Sequence, residues 1–269
     1  MIILGNMERQ DVCEAVESAS KRLEKRGLLG GVFPHTVAVD DLPKSDMCLV
    51  FGGDGTLLSA GRRLARLGIP FIGVNMGKLG FLAEYNLDEL YRFLPALVEG
   101  KIKPVERIML DVCCCDFCSL AVNDLAISAG APFRMIDLSF SHDENMLARF
   151  RGDGLVVATP TGSTGYNLSV GGPVLQPTLD AIAVSPIAPH TLSLRPIVLD
   201  TFAPVHINVM GANAGTTLII DGQISHKLCA GQSIVVRKAD VTLKIFPHPE
   251  RHYTQLLSNK LKWGQSPHH

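Results

Sequence analysis

The chain has 269 residues, with 25 Lys and Arg against 26 Asp and Glu, for a formal net charge of −1. Charged residues make up 19% and hydrophobic ones 46%, the reverse of a disordered composition and without the basic excess of a general nucleic-acid binder. The length suffices for one large domain or two modest ones, each able to bury a core.

The opening MIILGNMERQD offers four apolar residues before polar sequence begins, too few for the core of a secretory signal. Val12, Val16, Ala19 and Leu23 then recur at helical spacing, and Gly27 closes that helix. MCLVF at 47–51 and IPFIGV at 69–74 are short apolar runs of the kind that form buried parallel strands. A helix is expected over 56–67, ending at Gly68, and another from the stripe Leu87, Leu90, Tyr91, Leu94, Leu97 and Val98, ended by Gly100. The mean hydropathy of +0.22 raises the question of a membrane. A spanning helix needs about 20 consecutive apolar residues, and the best stretch, 68–84, is interrupted by Asn75, Lys78 and several glycines. The expectation is a soluble, cytoplasmic chain whose apolar surplus is internal or buried between subunits.

Beyond residue 101 the rhythm changes. β-branched runs at 108–114, 120–128, 135–141, 155–158, 182–184, 196–199, 206–209, 217–220, 233–236 and 241–246 are separated by Gly, Pro, Asn and Asp. That spacing suggests an antiparallel, sandwich-like β domain, with one short helix near 164–170 and a final helix over 253–263. Residues 1–100 hold 13 acidic and 11 basic side chains, whereas 151–250 hold six of each. The expected organisation is an α/β domain with a Rossmann-like parallel sheet over 1–101, a β-rich domain over 102–248, and a C-terminal helix with its tail over 249–269 that packs back on the first domain. His268 and His269 resemble the remnant of a purification tag and are set aside. Four of seven cysteines crowd into 113–118. With no second CxxC to complete a zinc set, and an odd total, they are expected to serve as small apolar residues in a strand and turn.

Three motifs carry chemistry. Gly52-Gly53-Asp54-Gly55-Thr56 stands where a strand ends and a helix begins, a place where amides and a helix terminus receive phosphate. A carboxylate there would repel phosphate. Either it caps the helix, or it holds a metal or takes a proton from a hydroxyl attacking phosphorus. Thr159 to Asn167, TPTGSTGYN, is a dense set of hydroxyls and glycines after the strand LVVA. It offers donors to a ribose or phosphate, or simply caps a helix. Asn123-Asp124 interrupts an apolar run. In a turn the pair would be solvated; in a cleft the amide suits an adenine edge and the carboxylate a ribose diol.

These pieces together resemble the bacterial-type NAD kinases: FGGDGTLL (51–58), GVNMGKLGFLAE (73–84), AVNDLAIS (121–128), GDGLVVATPTGSTGYNLSVGGPV (152–174), SPIAPHTLSLRPIVL (185–199) and DGQ (221–223). GGDGT alone is shared with lipid kinases and phosphofructokinases; the TPTGST and SPIAPHTLSLRP blocks are specific. The resemblance implies transfer of the ATP γ-phosphoryl group to the 2′-hydroxyl of the adenosine ribose of NAD, giving NADP. It implies Asp54 as base; Gly52, Gly53, Gly55 and Thr56 at phosphates; and Asp54 and Gly55 also against NAD. Asn123 and Asp124 would hold NAD, with Asp153, Thr164, Gly165, Tyr166 and Ser169 lining the same pocket. Arg151, Arg134 and Gln223 are further NAD contacts, Arg134 across a subunit boundary. Gly165 replaces the family's usual alanine, and Asp124 stands where many members have Glu.

The resemblance further implies a homodimer or homotetramer, with NAD and ATP (or polyphosphate) as partners and no nucleic acid or membrane. A divalent metal, Mg²⁺ or Mn²⁺, is expected to arrive with ATP, since no carboxylate cluster suggests a protein-only metal cage. His190 is expected to be a packed loop residue rather than a base, Arg195 an ion-pair or interface residue, Met76 a neighbour of nucleotide, and Lys78 a phosphate contact. A small-alcohol or lipid kinase sharing the GGDGT turn, and a non-catalytic NAD(P)-binding regulator, are the alternatives. The first predicts a greasy acceptor groove; the second predicts loss of the turn carboxylate, which is present.

Overall fold

Strand and helix alternate from the first residues of the computed structural model, which describes residues 1–77 and 80–263. β1 (Ile2–Gly5) leads to α1 (Gln10–Glu24), β2 (Gly31–Pro34), β3 (Cys48–Phe51), α2 (Asp54–Leu67), β4 (Phe71–Val74), α3 (Leu87–Val98) and β5 (Val105–Arg107). β1, β3 and β4 are buried at every position, as strands covered on both faces must be. α1 turns Val12, Ala15, Val16, Ala19 and Leu23 inward, and α2 stops at Gly68, which takes the left-handed conformation (φ +67°). α3 opens on a reciprocal pair: Asn86 Oδ1 accepts the Glu89 N–H at 2.8 Å, and Glu89 Oε2 accepts the Asn86 N–H at 2.9 Å.

The chain then becomes β-rich: β6 (Leu110–Cys114), β7 (Phe117–Ala121), β8 (Asp124–Ser128), β9 (Ile136–His142), β10 (Asn145–Gly152), β11 (Gly154–Ala158), α4 (Tyr166–Ser169), β12 (Ala181–Ile187), β13 (Ile197–Asp200), β14 (Val205–Gly211), β15 (Thr217–Ile220), β16 (Ile224–Lys227) and β17 (Ser233–Lys238). Two six-stranded sheets result, ordered β10-β9-β14-β17-β6-β7 and β13-β12-β11-β8-β15-β16. Their strand pairs are antiparallel. One apolar cluster joins Val112, Leu138, Phe140, Ile207 and Val236 of the first sheet to Leu125, Ile127, Val157 and Leu218 of the second, so the two sheets form a sandwich.

Finally β18 (Leu243–Ile245) and α5 (Tyr253–Leu261) follow. β18 runs parallel to β4 and completes a sheet ordered β2-β1-β3-β4-β18-β5. The run at 241–246 therefore belongs to the parallel sheet and not to the sandwich. The chain divides into one unit of Met1–Glu106 with the segment from Lys244 onward, and a second of Arg107–Leu243. These divisions lie five residues beyond 101 and five before 249, because β5 and β18, which flank the sandwich in sequence, are strands of the parallel sheet.

Four expectations are corrected. The run at 120–128 is two strands, β7 and β8, broken at Val122-Asn123. The helix near 164–170 is a 3₁₀ turn, Gly162–Thr164, and the single turn α4. The final helix ends at Leu261, with Lys262 left-handed. The cysteine cluster is split by hairpin register. Cys113 and Cys118 face each other across β6 and β7 and form a disulfide, Cys115 is exposed in the turn, and only Cys114 is buried as a small apolar residue. His268 and His269 lie outside the described residues. Among the described residues no helix is long and apolar enough to cross a membrane.

Gly73 in β4 is a packing requirement. A Cβ there would stand 2.2 Å from Leu57 Cδ2 and 2.6 Å from the Leu82 carbonyl oxygen. Gly73→Ala is expected to cost about 1–3 kcal/mol, measured as a lowered midpoint in equilibrium denaturant unfolding with unchanged slope.

Candidate functional site

In the first unit, strand order reverses at β1 and β3: the chain goes from β1 outward to β2 and then back past β1 to β3. Ligands of open α/β sheets bind beyond the carboxyl ends of strands at such a switch, and Gly52-Gly53-Asp54-Gly55-Thr56 occupies that place after β3. Gly53 is the N-cap of α2 and Asp54 its first residue. Asp54 does not cap the helix. Its carboxylate instead accepts three consecutive backbone N–H groups, from Phe81 at 3.0 Å, Leu82 at 3.2 Å and Ala83 at 3.3 Å. A Cβ on Gly80 would fall 2.0 Å from Asp54 Oδ1, so the approach needs glycine. The carboxylate also stands at the positive end of α2. Thr56 folds its side chain back over Gly52, where a Cβ would lie 2.7 Å from Thr56 Oγ1. Gly53 and Gly55 are exposed. Met76 packs against the apolar cluster of this unit, and Lys78 lies outside the described residues.

In the second unit the break between β7 and β8 is built around another carboxylate. Asp221 accepts the N–H groups of Val122 at 3.0 Å, Asn123 at 2.7 Å and Asp124 at 3.2 Å, and its own N–H donates to the Asp124 carbonyl at 2.9 Å. A cavity of about 470 Å³ opens there, lined by Asn123, Asp124, Ala126, Ser128, Gly165, Tyr166, Ile219, Asp221 and Gly222. Asn123 Oδ1 is buried with no hydrogen-bond partner among the described residues, an acceptor that a ligand or water donor would satisfy. Burial, with Asp221 as neighbour, pushes the Asp124 carboxyl up to about 7. Gly165 faces the same pair: a Cβ there would lie 3.7 Å from Asp124 Oδ2.

The hydroxyl-rich loop beside this cavity is spent mostly on its own structure. Thr159 Oγ1 donates to the Val122 carbonyl at 2.6 Å and accepts the Gly162 N–H at 3.1 Å. Ser163 Oγ donates to the Pro160 carbonyl at 2.7 Å and accepts the Leu175 N–H at 2.9 Å. Fully buried Asn167 donates to the Pro173 carbonyl at 2.9 Å and accepts the Ser185 hydroxyl at 2.7 Å. The loop thus holds a shape and leaves Gly165 and Tyr166, both exposed, at the cavity.

Of the residues expected to hold NAD, Asn123, Asp124, Gly165 and Tyr166 line this cavity. Thr164 is half-buried in the preceding turn, while Ser169, Asp153, Arg134 and Gln223 are exposed outside the lining set. Arg151 lines a separate depression of about 340 Å³ with Asp137, Arg149, Phe150, His190 and Thr191. His190 is exposed there and its N–H donates to the Arg151 carbonyl at 2.8 Å. Arg195 folds onto the Leu194 carbonyl at 3.1 Å. Asp221 was not among the expected site residues, although the DGQ motif contains it. Among the described residues no group of three or more His, Cys, Asp or Glu side chains forms a metal-binding set.

Residues 6–102 match the model of the ATP-NAD kinase N-terminal domain and 122–248 that of the ATP-NAD kinase C-terminal domain. A NAD kinase of Geobacter sulfurreducens is 40% identical over 258 residues, 90% of this chain and 91% of that one. One of Geobacter metallireducens is 41% identical over 85% of this chain and 83% of that one. The chain belongs to the NAD kinase family. Among solved structures, an Archaeoglobus fulgidus NAD kinase in complex with ATP is 27% identical, with a TM-score of 0.80 over 97% of this chain and 98% of that one. A yeast NADH kinase complexed with NADH, 21% identical, shares the fold with a TM-score of 0.86 over 98% of this chain and 88% of that one. As a NAD kinase, the chain is an enzyme that phosphorylates NAD to NADP with ATP.

The Asp124 carboxyl gives a pH signature. Unfolded, it titrates near 4; folded, it keeps its proton to about 7. Between these values the folded state binds more protons, so stability falls as pH rises. Asp124→Asn should match the parent in thermal midpoint near pH 4 and exceed it increasingly toward pH 8, read by scanning fluorimetry across that range.

Proposed function

We propose that Asp54 is the general base for transfer of the ATP γ-phosphoryl group to the 2′-hydroxyl of the adenosine ribose of NAD. The ribose O–H gives its proton to the Asp54 carboxylate, the new O2′–P bond forms, and the bond from the γ-phosphorus to the bridging oxygen breaks to release ADP. Phosphoryl transfer depends on positioning and charge neutralisation more than on covalent catalysis. A divalent metal, Mg²⁺ or Mn²⁺, would enter with the donor substrate and would supply charge neutralisation at its phosphates. Gly52, Gly53, Gly55 and Thr56 receive phosphate, with amides at the start of α2 as donors.

The unpartnered Asn123 Oδ1 carries the assignment of the second-unit cavity to NAD. Adenine offers an N6 amino donor and an N7 acceptor that an Asn amide matches in pairs, and Asp124 beside it suits a ribose diol. Tyr166, with 43% of its surface exposed, supplies an aromatic face at the rim. Arg134, Arg151, Asp153, Thr164, Ser169 and Gln223 are proposed as further contacts made once nucleotide is bound. We place the enzyme in the cytoplasm, where both substrates are available, as a homodimer or homotetramer. β13 supports assembly: it is an edge strand, and Ile197, Val198, Leu192 and Phe202 in or beside it are exposed.

With ATP and Mg²⁺ the purified protein should convert NAD to NADP, and a comparison with polyphosphate and NADH in one coupled assay assigns donor and acceptor. Asp54→Asn should lower kcat by about 10²–10⁴-fold while the protein stays folded. Asn123→Ala should raise the KM for NAD by roughly five- to tenfold; unchanged kinetics would place that amide away from substrate.

A further inference from the structure

Asp54 is held by residues 81–83, and those residues are gripped in turn by chain from the far end of the sequence. Glu84, 8% exposed, accepts the His248 N–H on Oε2 at 3.0 Å. The Glu84 carbonyl accepts Nη1 of Arg251, and Arg251 Nη2 reaches Glu89 Oε1 on α3. The Tyr85 hydroxyl donates to the Pro247 carbonyl at 2.6 Å. At the other end of the segment the Phe81 ring lies 6.5 Å from that of Tyr253, and Lys260 Nζ stands 5.0 Å from its centroid. All of this belongs to the first unit. Ordinary core burial does not require it. A terminal segment docks well enough on an apolar stripe, whereas here charged and polar groups converge on one short loop, and partly burying a guanidinium is favourable only when its partners are fixed.

We infer that Arg251 is a positioning residue for phosphoryl transfer: it fixes the segment 81–84, and through the amides of Phe81, Leu82 and Ala83 it sets where the Asp54 carboxylate stands. The inference rests on the reading of Asp54 as the base. Arg251 spends its guanidinium on the Glu84 carbonyl and the Glu89 carboxylate. Its effect comes through the three amides, which lose their aim at the carboxylate when the segment shifts. Misplacing a reacting group by about 1 Å can cost up to ~10²-fold in rate, so a slack segment lowers the chemical step and leaves substrate affinity alone.

The test uses the full chain and compares kcat, the KM for NAD, the KM for ATP and the thermal midpoint. Arg251→Gln should lower kcat by about tenfold or more with both KM values within about twofold, assayed well below its thermal midpoint. Arg251→Lys should recover most of the kcat, since an ammonium still donates to the Glu84 carbonyl. Glu250→Ala, which removes the ion pair to Arg92 in the same segment, should behave as the parent. A parental kcat in folded Arg251→Gln, a loss shared equally by the KM values, or no recovery with Lys overturns the positioning role. If Arg251→Gln does not fold, Glu89→Gln frees Arg251 from its other side and is judged by the same criteria. Asp54→Asn is run in parallel. If it keeps the parental kcat, the base assignment falls; if it is inactive while Arg251→Gln is unimpaired, only the positioning role falls.

Discussion

A backbone that leaves its sheet exposes a row of N–H groups, and each buried one needs an acceptor. This chain meets that need twice with an aspartate. Asp54 accepts the amides of 81, 82 and 83, and Asp221 accepts those of 122, 123 and 124. In each case one side chain replaces three hydrogen bonds that a continuing strand would have supplied. The bonds are charge-assisted, so they are stronger than neutral ones. They let the chain break with the local geometry still fixed.

The two aspartates are used differently. Asp221 is structural: it holds the break in which Asn123 and Asp124 turn their side chains into a cavity, and its charge helps raise the carboxyl of Asp124. Asp54 orders its loop from the first position of α2, and the proposed proton transfer would use those same oxygens. On that proposal the rate of reaction is tied to the integrity of the fold around Asp54.

Much of this was legible in the sequence, for physical reasons. The strands β3 and β4 announce themselves as short apolar runs, buried at every position, and the helices α1 to α3 by their helical spacing. β2, β10 and β16 did not, and each is an edge strand with alternating or exposed positions, so no apolar run marks it. The run at 120–128 read as one strand because its break is enforced by Asp221, about a hundred residues away. Asp54 stands at the turn between β3 and α2, and Asn123, Asp124, Gly165 and Tyr166 line one cavity. The TPTGSTGYN motif leaves open whether the loop hydroxyls serve a ligand or the loop itself; those of Thr159 and Ser163 are consumed by backbone partners. The pairing of Cys113 with Cys118 depends on hairpin register, which a cluster of four cysteines within six residues does not specify.

The return of the chain to its first unit has a consequence for synthesis. During translation β1 to β4 and the GGDGT turn emerge early, yet β18 and the segment 247–251 emerge only after the whole sandwich has been made. The growing protein can therefore collapse its first helices and strands while the loop facing Asp54 still lacks its clasp. The sandwich has all its strands by Lys238, so it can be complete in sequence while the loop facing Asp54 still waits for residues 247–251.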